Sequence, residues 1–207
     1  MQNIMLKAID YLAKFGLDKL ERALLFGAAL AVILALVTGS IQMSQVWLAF
    51  LFRWLHVLAG IMWIGLLWYF NFVQIPSMPK IPDEQKPAIS KVIAPAALFW
   101  FRWAALATVV TGLILAALNG YIFKALLLGY FQGGRDTYIG LGMWMGLVMS
   151  YNVWMIIWPN QQKVLGLVPA GDDEKKAAAR TAMLTSRFNT MFSIPMLYFM
   201  VAAQNLG

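Results

Sequence analysis

Five stretches of this chain are apolar over about 20 residues or more, the length an α-helix needs to cross a bilayer. They fall near residues 22–42, 47–73, 93–118, 137–159 and 184–205. None shows the polar–apolar alternation of a half-buried strand, and within lipid only helices and closed barrels satisfy their own backbone. The expected fold is therefore all-α: a polytopic transmembrane helix bundle of about five spans, forming one domain over residues 22–207. The composition agrees, with 61% hydrophobic and 12% charged residues against roughly 45–50% and about 25% in soluble domains.

Lys and Arg orient such a bundle, because short cytoplasmic loops collect them. Lys7, Lys14, Lys19 and Arg22 precede the first span. Lys80, Lys86 and Lys91 lie in the second loop. Lys163, Lys175, Lys176, Arg180 and Arg187 lie between the fourth span and the start of the fifth. Together these are twelve of the 16 basic residues, all on one side. The opposite side has Arg53, Lys124 and Arg135. The expected topology places the N-terminus in the cytoplasm and the C-terminus outside, in a bacterial inner membrane crossed several times.

Residues 1–21 mix Lys7, Asp10, Lys14, Asp18, Lys19 and Glu21 with apolar residues and lack the small-residue pattern of a cleaved signal. Ile4, Met5, Ile9, Leu12 and Leu20 predict an amphipathic helix on the inner membrane face, drawn to anionic lipid, or a plain extension of the first span. Nucleic-acid binding is not expected, since the basic residues form no long tract.

The chain has one histidine and no cysteine. His56 sits within the second apolar run, where an ionisable side chain is costly and marks a candidate site. A single imidazole and no thiolate leave at most one nitrogen ligand of this type for a metal. Arg53 lies three residues earlier and shares a helix face with His56. That pair suits a heme b, with imidazole on the iron and guanidinium on a propionate. Met143, Met145 and Met149 on the fourth span lie at comparable depth, and Met145 is the candidate second ligand. The alternatives are that His56 hydrogen-bonds across the bundle and the 13 Met residues fill gaps, or that it meets a quinone or another ligand.

All nine Asp and Glu residues fall outside the spans. Arg102 is thus without a carboxylate at its depth, about 9–15 Å into its span at 1.5 Å per residue. It meets carbonyls, water, a lipid phosphate, a partner subunit or an anionic cofactor. Asn71, Gln74, Thr108, Thr111, Asn152, Asn189 and Ser193 are expected to join helices by hydrogen bonds. Gly142-x-x-x-Gly146 permits close helix approach. Trp47, Trp68, Tyr69, Tyr138 and Trp158 fall near span ends, as an aromatic belt does. The prolines from Pro76 to Pro87 predict a loop that no helix continues through, and Pro195 predicts a kink. Residues 122–130 predict a surface or re-entrant helix. Asp172-Asp173-Glu174 predicts the acidic first turn of a helix that runs on into the last span.

Three stretches together resemble a known family: Arg53-Trp54-Leu55-His56-x-Leu58-Ala59-Gly60-x-x-Trp63-Ile64-Gly65-Leu66 with Tyr69-Phe70-Asn71-Phe72-Val73-Gln74; Gly142-Met143-Trp144 through Tyr151-Asn152-Val153-Trp154 to Trp158-Pro159-x-Gln161-x-Lys163; and Ser186-Arg187-x-Asn189-Thr190-x-Phe192-Ser193-Ile194-Pro195-Met196. The pattern resembles the membrane domain of the urate oxidase N-terminal family, the PuuD-like urate hydroxylases. The resemblance implies a membrane domain that elsewhere precedes a cytochrome c domain taking electrons from urate oxidation. This sequence has no Cys-x-x-Cys-His and carries no covalent heme c, so a separate cytochrome c is the implied partner. Further histidines toward the ends of late spans are implied as well, and Gln204 stands at such a place here.

Two readings follow. One is a membrane redox protein in which His56 serves heme b, Arg53 and Arg102 hold anionic groups, and a cytochrome or quinone accepts electrons. The other is a cofactor-free scaffold or accessory subunit whose small-residue faces pack on partner proteins. A channel or transporter is less favoured, because no acidic residue lies in the spans.

Overall fold

The computed structural model describes residues 16–206 and, before them, residues 5, 9–11, 13 and 14. The amphipathic helix expected over residues 4–20 falls partly outside the described residues; among those described, residues 5, 9–11, 13 and 14 are helical and residues 16–19 form a turn and bend. Among the described residues there are helices and turns and no strand. The chain divides into two compact units, Met1–Trp47 and Leu48–Gly207.

In the first unit, α1 spans Leu20–Val37 and none of its residues is buried. Its mean hydropathy of 2.2 is the highest of any helix here, so its whole circumference is suited to lipid. The helix stops at Gly39, whose positive φ of 66° lets Ser40 N–H reach back to the Ala35 carbonyl at 2.9 Å. That is the Schellman closure that glycine permits without a Cβ penalty. Ser44 Oγ then accepts from Trp47 N–H at 3.2 Å, capping the start of α2.

The second unit is built from α2 (Gln45–Lys80, whose first residues belong to the preceding unit), α3 (Lys86–Leu118) and α5 (Gly134–Val164), with the short α4 (Ile122–Leu126) and the 34-residue α6 (Asp172–Asn205). Its centre is apolar: Trp63, Leu67 and Phe70 of α2, Phe101 and Ala105 of α3, Met149 and Val153 of α5, and Ala182 and Met196 of α6. A smaller cluster joins Ala116, Tyr121, Ala125, Ile139 and Ala203 at one end.

Helices α2, α3 and α5 all run through prolines, and in α2 Pro76 and Pro79 belong to the stretch expected to break the helix. The residues Tyr69–Gln74, Ile89–Ile93 and Asn152–Ile157 form widened π-helical turns, and Pro76, Pro95 and Pro159 each follow two residues after one. Proline lacks an N–H and its ring crowds the carbonyl four residues back. A wider turn displaces that carbonyl, so the helix continues. The loop expected over Pro76–Pro87 thus shrinks to the residues between Lys80 and Lys86.

Four helices, α1, α2, α3 and α5, are long and apolar enough to cross a membrane by length and composition. The fifth expected span lies in α6, which falls short of that apolarity. The reason is its inward face: Ser186, Asn189 and Ser193 are buried there and make interhelical hydrogen bonds. The acidic first turn does run on without interruption, from Asp172 to Asn205. Lys163 Nζ pairs with Glu174 at 2.5 Å across the connection from α5.

Candidate functional site

His56 meets α3. Its Nδ1 lies 2.8 Å from the backbone oxygen of Thr108, and since a carbonyl only accepts, Nδ1 carries the proton. In the neutral ring Nε2 then holds a lone pair, and among the described residues nothing hydrogen-bonds to it. The Thr108 and Thr111 hydroxyls return to the carbonyls of Ala104 and Ala107 at 2.7 and 2.6 Å. Thr111 Oγ1 also sits 3.5 Å from Nδ1. Gly112 supplies the room: a Cβ there would lie 2.9 Å from Cε1 and 3.0 Å from Nδ1. Thr108, Thr111 and Gly112 recur at helical spacing on one face of α3. The threonines were legible as interhelical glue, whereas the glycine carried only the signal of a missing side chain in an apolar helix.

Arg53 is exposed, one turn from His56, and its charge acts on the buried phenol of Tyr121. Arg135 stands with Cζ 5.0 Å from the centre of the Tyr121 ring. The region thus joins Arg53 of α2, Tyr121 after α3 and Arg135 at the head of α5. Among the described residues neither arginine has a carboxylate within ion-pair distance. Burial raises the Tyr121 phenol above its ordinary value; Arg135 and then Arg53 oppose the shift, and Asp136 adds to it.

Met145 is partly buried and packs against the central cluster of Trp63, Phe101 and Met149. Arg102 stacks on Trp158, with Cζ 3.4 Å from the ring centre, so an expected belt residue has a specific partner. Its Nε is buried without a hydrogen bond, as are Nε1 of Trp63 and Trp154 and the side-chain oxygens of Asn71 and Gln74.

Around this centre, hydrogen bonds lock α6 in place. Asn152 Nδ2 donates to Asn189 Oδ1 at 2.8 Å, and Asn189 Nδ2 donates to the Met149 carbonyl at 2.9 Å. Trp68 Nε1 donates to Ser193 Oγ at 3.0 Å and Asn71 Nδ2 to Ser186 Oγ at 2.8 Å. Gly142 admits Met200 of α6, whose Cγ would lie 3.2 Å from an added Cβ. This part of the small-residue face, expected to meet partner proteins, is taken up within the chain. Gly140 likewise lies directly against the Ala125 carbonyl, seating α4 across the start of α5, where Trp144 Nε1 donates to the Leu126 carbonyl at 2.9 Å.

Residues 117–205 match the family model described as Urate oxidase N-terminal. That segment of the chain is similar to the urate oxidase N-terminal family. No curated protein and no solved structure matches the chain. The matched segment begins at the end of α3 and covers α4, α5 and almost all of α6. It therefore contains Met145, Tyr121, Arg135 and the Asn152–Asn189 pair, whereas Arg53, His56 and Arg102 lie before it. The imidazole is thus placed by parts of α2 and α3 that the family match does not cover.

The donor set is compatible with a heme. A metal-bound histidine usually donates its second ring N–H to a carbonyl or carboxylate, which fixes the tautomer and turns the other nitrogen toward the metal. His56 has that arrangement on Thr108. Among the described residues no group of three or more His, Cys, Asp or Glu gathers to hold a bare metal ion.

Proposed function

We propose that this multi-pass membrane protein is a redox subunit of the cytoplasmic membrane that holds one heme b through His56. The observation that carries the reading is the Nδ1–H bond to the Thr108 carbonyl, which leaves Nε2 as the lone-pair nitrogen. Bound heme b supplies one-electron chemistry at its iron. The chain's own residues do the rest. His56 ligates, held in its tautomer by Thr108 and in its place by Gly112. Met145, partly buried on α5, is the second ligand. Arg53 holds a propionate, and the apolar helices exclude water from the ring. Arg102, lacking a carboxylate partner, holds an anionic group at its own depth. A separate cytochrome c takes the electrons, and urate is the substrate to try first because the family carries its name.

Purification in mild detergent followed by reduced-minus-oxidised spectroscopy tests this. The wild type is expected to show a Soret band with α and β bands, and His56→Gln to lose them with its elution profile unchanged. A colourless wild-type protein after heme supplementation would end the heme reading and leave a cofactor-free accessory subunit. Urate turnover with a cytochrome c acceptor is scored separately.

A further inference from the structure

Four consecutive residues, Leu128, Gly129, Tyr130 and Phe131, have φ between 52° and 58°. The chain there makes one left-handed turn, closed by Tyr130 N–H on the Leu127 carbonyl at 3.0 Å and Gln132 N–H on the Gly129 carbonyl at 3.2 Å. Thr137 of α5 clamps it, with Oγ1 donating to the Leu128 carbonyl at 3.0 Å. Glycine adopts such angles freely, whereas a Cβ crowds the backbone. Only the second of the four positions is glycine, so three large side chains are held against strain.

Strain that the fold does not require points to a use for the residues that bear it. Leu128 is used within the chain, since its Cδ2 would lie 3.0 Å from a Cβ on Gly140. Tyr130 and Phe131 are not. They are 71% and 77% exposed and, among the described residues, make no ring contact and no side-chain hydrogen bond. What they touch lies outside the chain.

Position and charge say what that is. The Ala125 carbonyl lies against Gly140, and the Leu126 carbonyl accepts from Trp144, so α4 and the turn follow the first three turns of α5. With 31 residues, α5 is about 46 Å long at 1.5 Å per residue. The hydrocarbon is about 30 Å thick, so the ends of α5, these turns included, stand in the headgroup layer. Phe123 and Leu127 are exposed beside Tyr130 and Phe131, and together they continue the exposed apolar surface of α5 at Trp144 and Val148. Lys124 and Arg135 are exposed as well. Among the described residues neither has a carboxylate within ion-pair distance, and Asp136 is the one acidic residue in that segment. Aromatic rings among unpaired cations at that depth suit a phospholipid interface.

We propose that the left-handed turn Leu128–Phe131 is an anchor in the bilayer interface at this end of the bundle. Tyr130 and Phe131 insert among the lipid glycerols, Phe123 and Leu127 lie on the acyl-chain side, and Lys124 and Arg135 meet phosphates. The anchor is independent of His56 and of any heme.

Spin-label depth measurements on the full chain test it, and the lack of native cysteine keeps the labelling specific. Leu127→Cys, Phe131→Cys and, as a water-exposed reference, Asp83→Cys are labelled singly in nanodiscs of phosphatidylethanolamine and phosphatidylglycerol. Labels at 127 and 131 are expected to collide more with oxygen than with a water-soluble nickel chelate, and the label at 83 the reverse. Tyr130→Gly combined with Phe131→Gly relieves the strain and removes the rings. In detergent this pair is expected to raise the thermal midpoint by about 2–4 °C. In nanodiscs it is expected to shift the label at 127 toward water, read as more frequent nickel collisions. Tyr130→Asn with Phe131→Asn, which also tolerates left-handed backbone, serves if the glycine pair elutes as an aggregate. Water-level nickel access at 127 and 131 in the otherwise wild-type chain would overturn the proposal. So would labels shielded from both relaxers, which would place a partner protein or a second copy on the turn. An unchanged label depth or a lowered midpoint in the glycine pair would overturn it as well.

Discussion

The imidazole of His56 rests against the bare α-carbon of Gly112, so closely that a methyl group there would lie 2.9 Å from Cε1. The glycine is not in a turn and has no unusual backbone angle. Its role is to let a ring from α2 reach the Thr108 carbonyl on α3. Gly112→Ala is expected to push the ring off that carbonyl and to destabilise the protein by about 1–3 kcal/mol, the usual range for overpacking. If His56 ligates heme, the Soret band of this variant shifts or disappears while His56 remains in the sequence. An unchanged spectrum and melting temperature would refute the contact's importance.

The Asn152–Asn189 pair should behave as a single unit. Removing Asn189 leaves the Asn152 side-chain amide buried without its acceptor, a loss of about 1–3 kcal/mol, and takes away one of the two N–H groups on the Met149 carbonyl. Asn189→Ala is therefore expected to lower the thermal midpoint more than Asn205→Ala, whose amide is exposed and bonds only within its own helix. Differential scanning fluorimetry of the two variants makes the comparison. Equal midpoints would show that the network does not hold α6.

Arg102 and Trp158 predict a failed conservative change. A guanidinium stacks flat on an indole, and an ammonium does not reproduce that geometry. Arg102→Lys is expected to lose most of what Arg102→Met loses, about 0.5–2 kcal/mol for a cation–π contact. Retention of wild-type stability by the lysine variant would mean that charge alone matters there.

Tyr121 gives the chain a limit at alkaline pH. Burial raises its phenol above the ordinary 10.0, against the pull of Arg135 and Arg53. Between the unfolded and folded values the folded state holds the extra proton, so stability is complete below about pH 10 and falls as pH rises through the folded value. Tyr121→Phe removes this dependence. Phenolate absorbance at 295 nm and stability from pH 8 to 12 check the sign; a midpoint that rises with pH in the wild type relative to Tyr121→Phe would contradict it.

Much of the helical layout is legible in the sequence. Apolar run length marks spans because lipid offers no hydrogen bonds to an open backbone, and the acidic turn at Asp172 announced α6. The prolines misled, because a sequence shows that proline removes a hydrogen bond but not that a wider turn two residues earlier absorbs the defect. The span near residues 184–205 shows a second limit. Its polar residues read as glue, yet how far they lower the apolarity of α6 is repaid only by partners on α2 and α5.

At the candidate site, residue order alone places one imidazole in an apolar helix, three residues from Arg53 and far along the chain from any carboxylate. Those are facts of order and spacing. Which ring nitrogen is free follows from the folded chain, because it depends on the Thr108 carbonyl, 52 residues away in sequence. The folded chain likewise decides that Gly112 makes room for the ring and that Trp158 carries Arg102. Hydrogen bonds and close packing are set by distance in space, and helix crossings bring together residues whose separation along the chain gives no hint of contact.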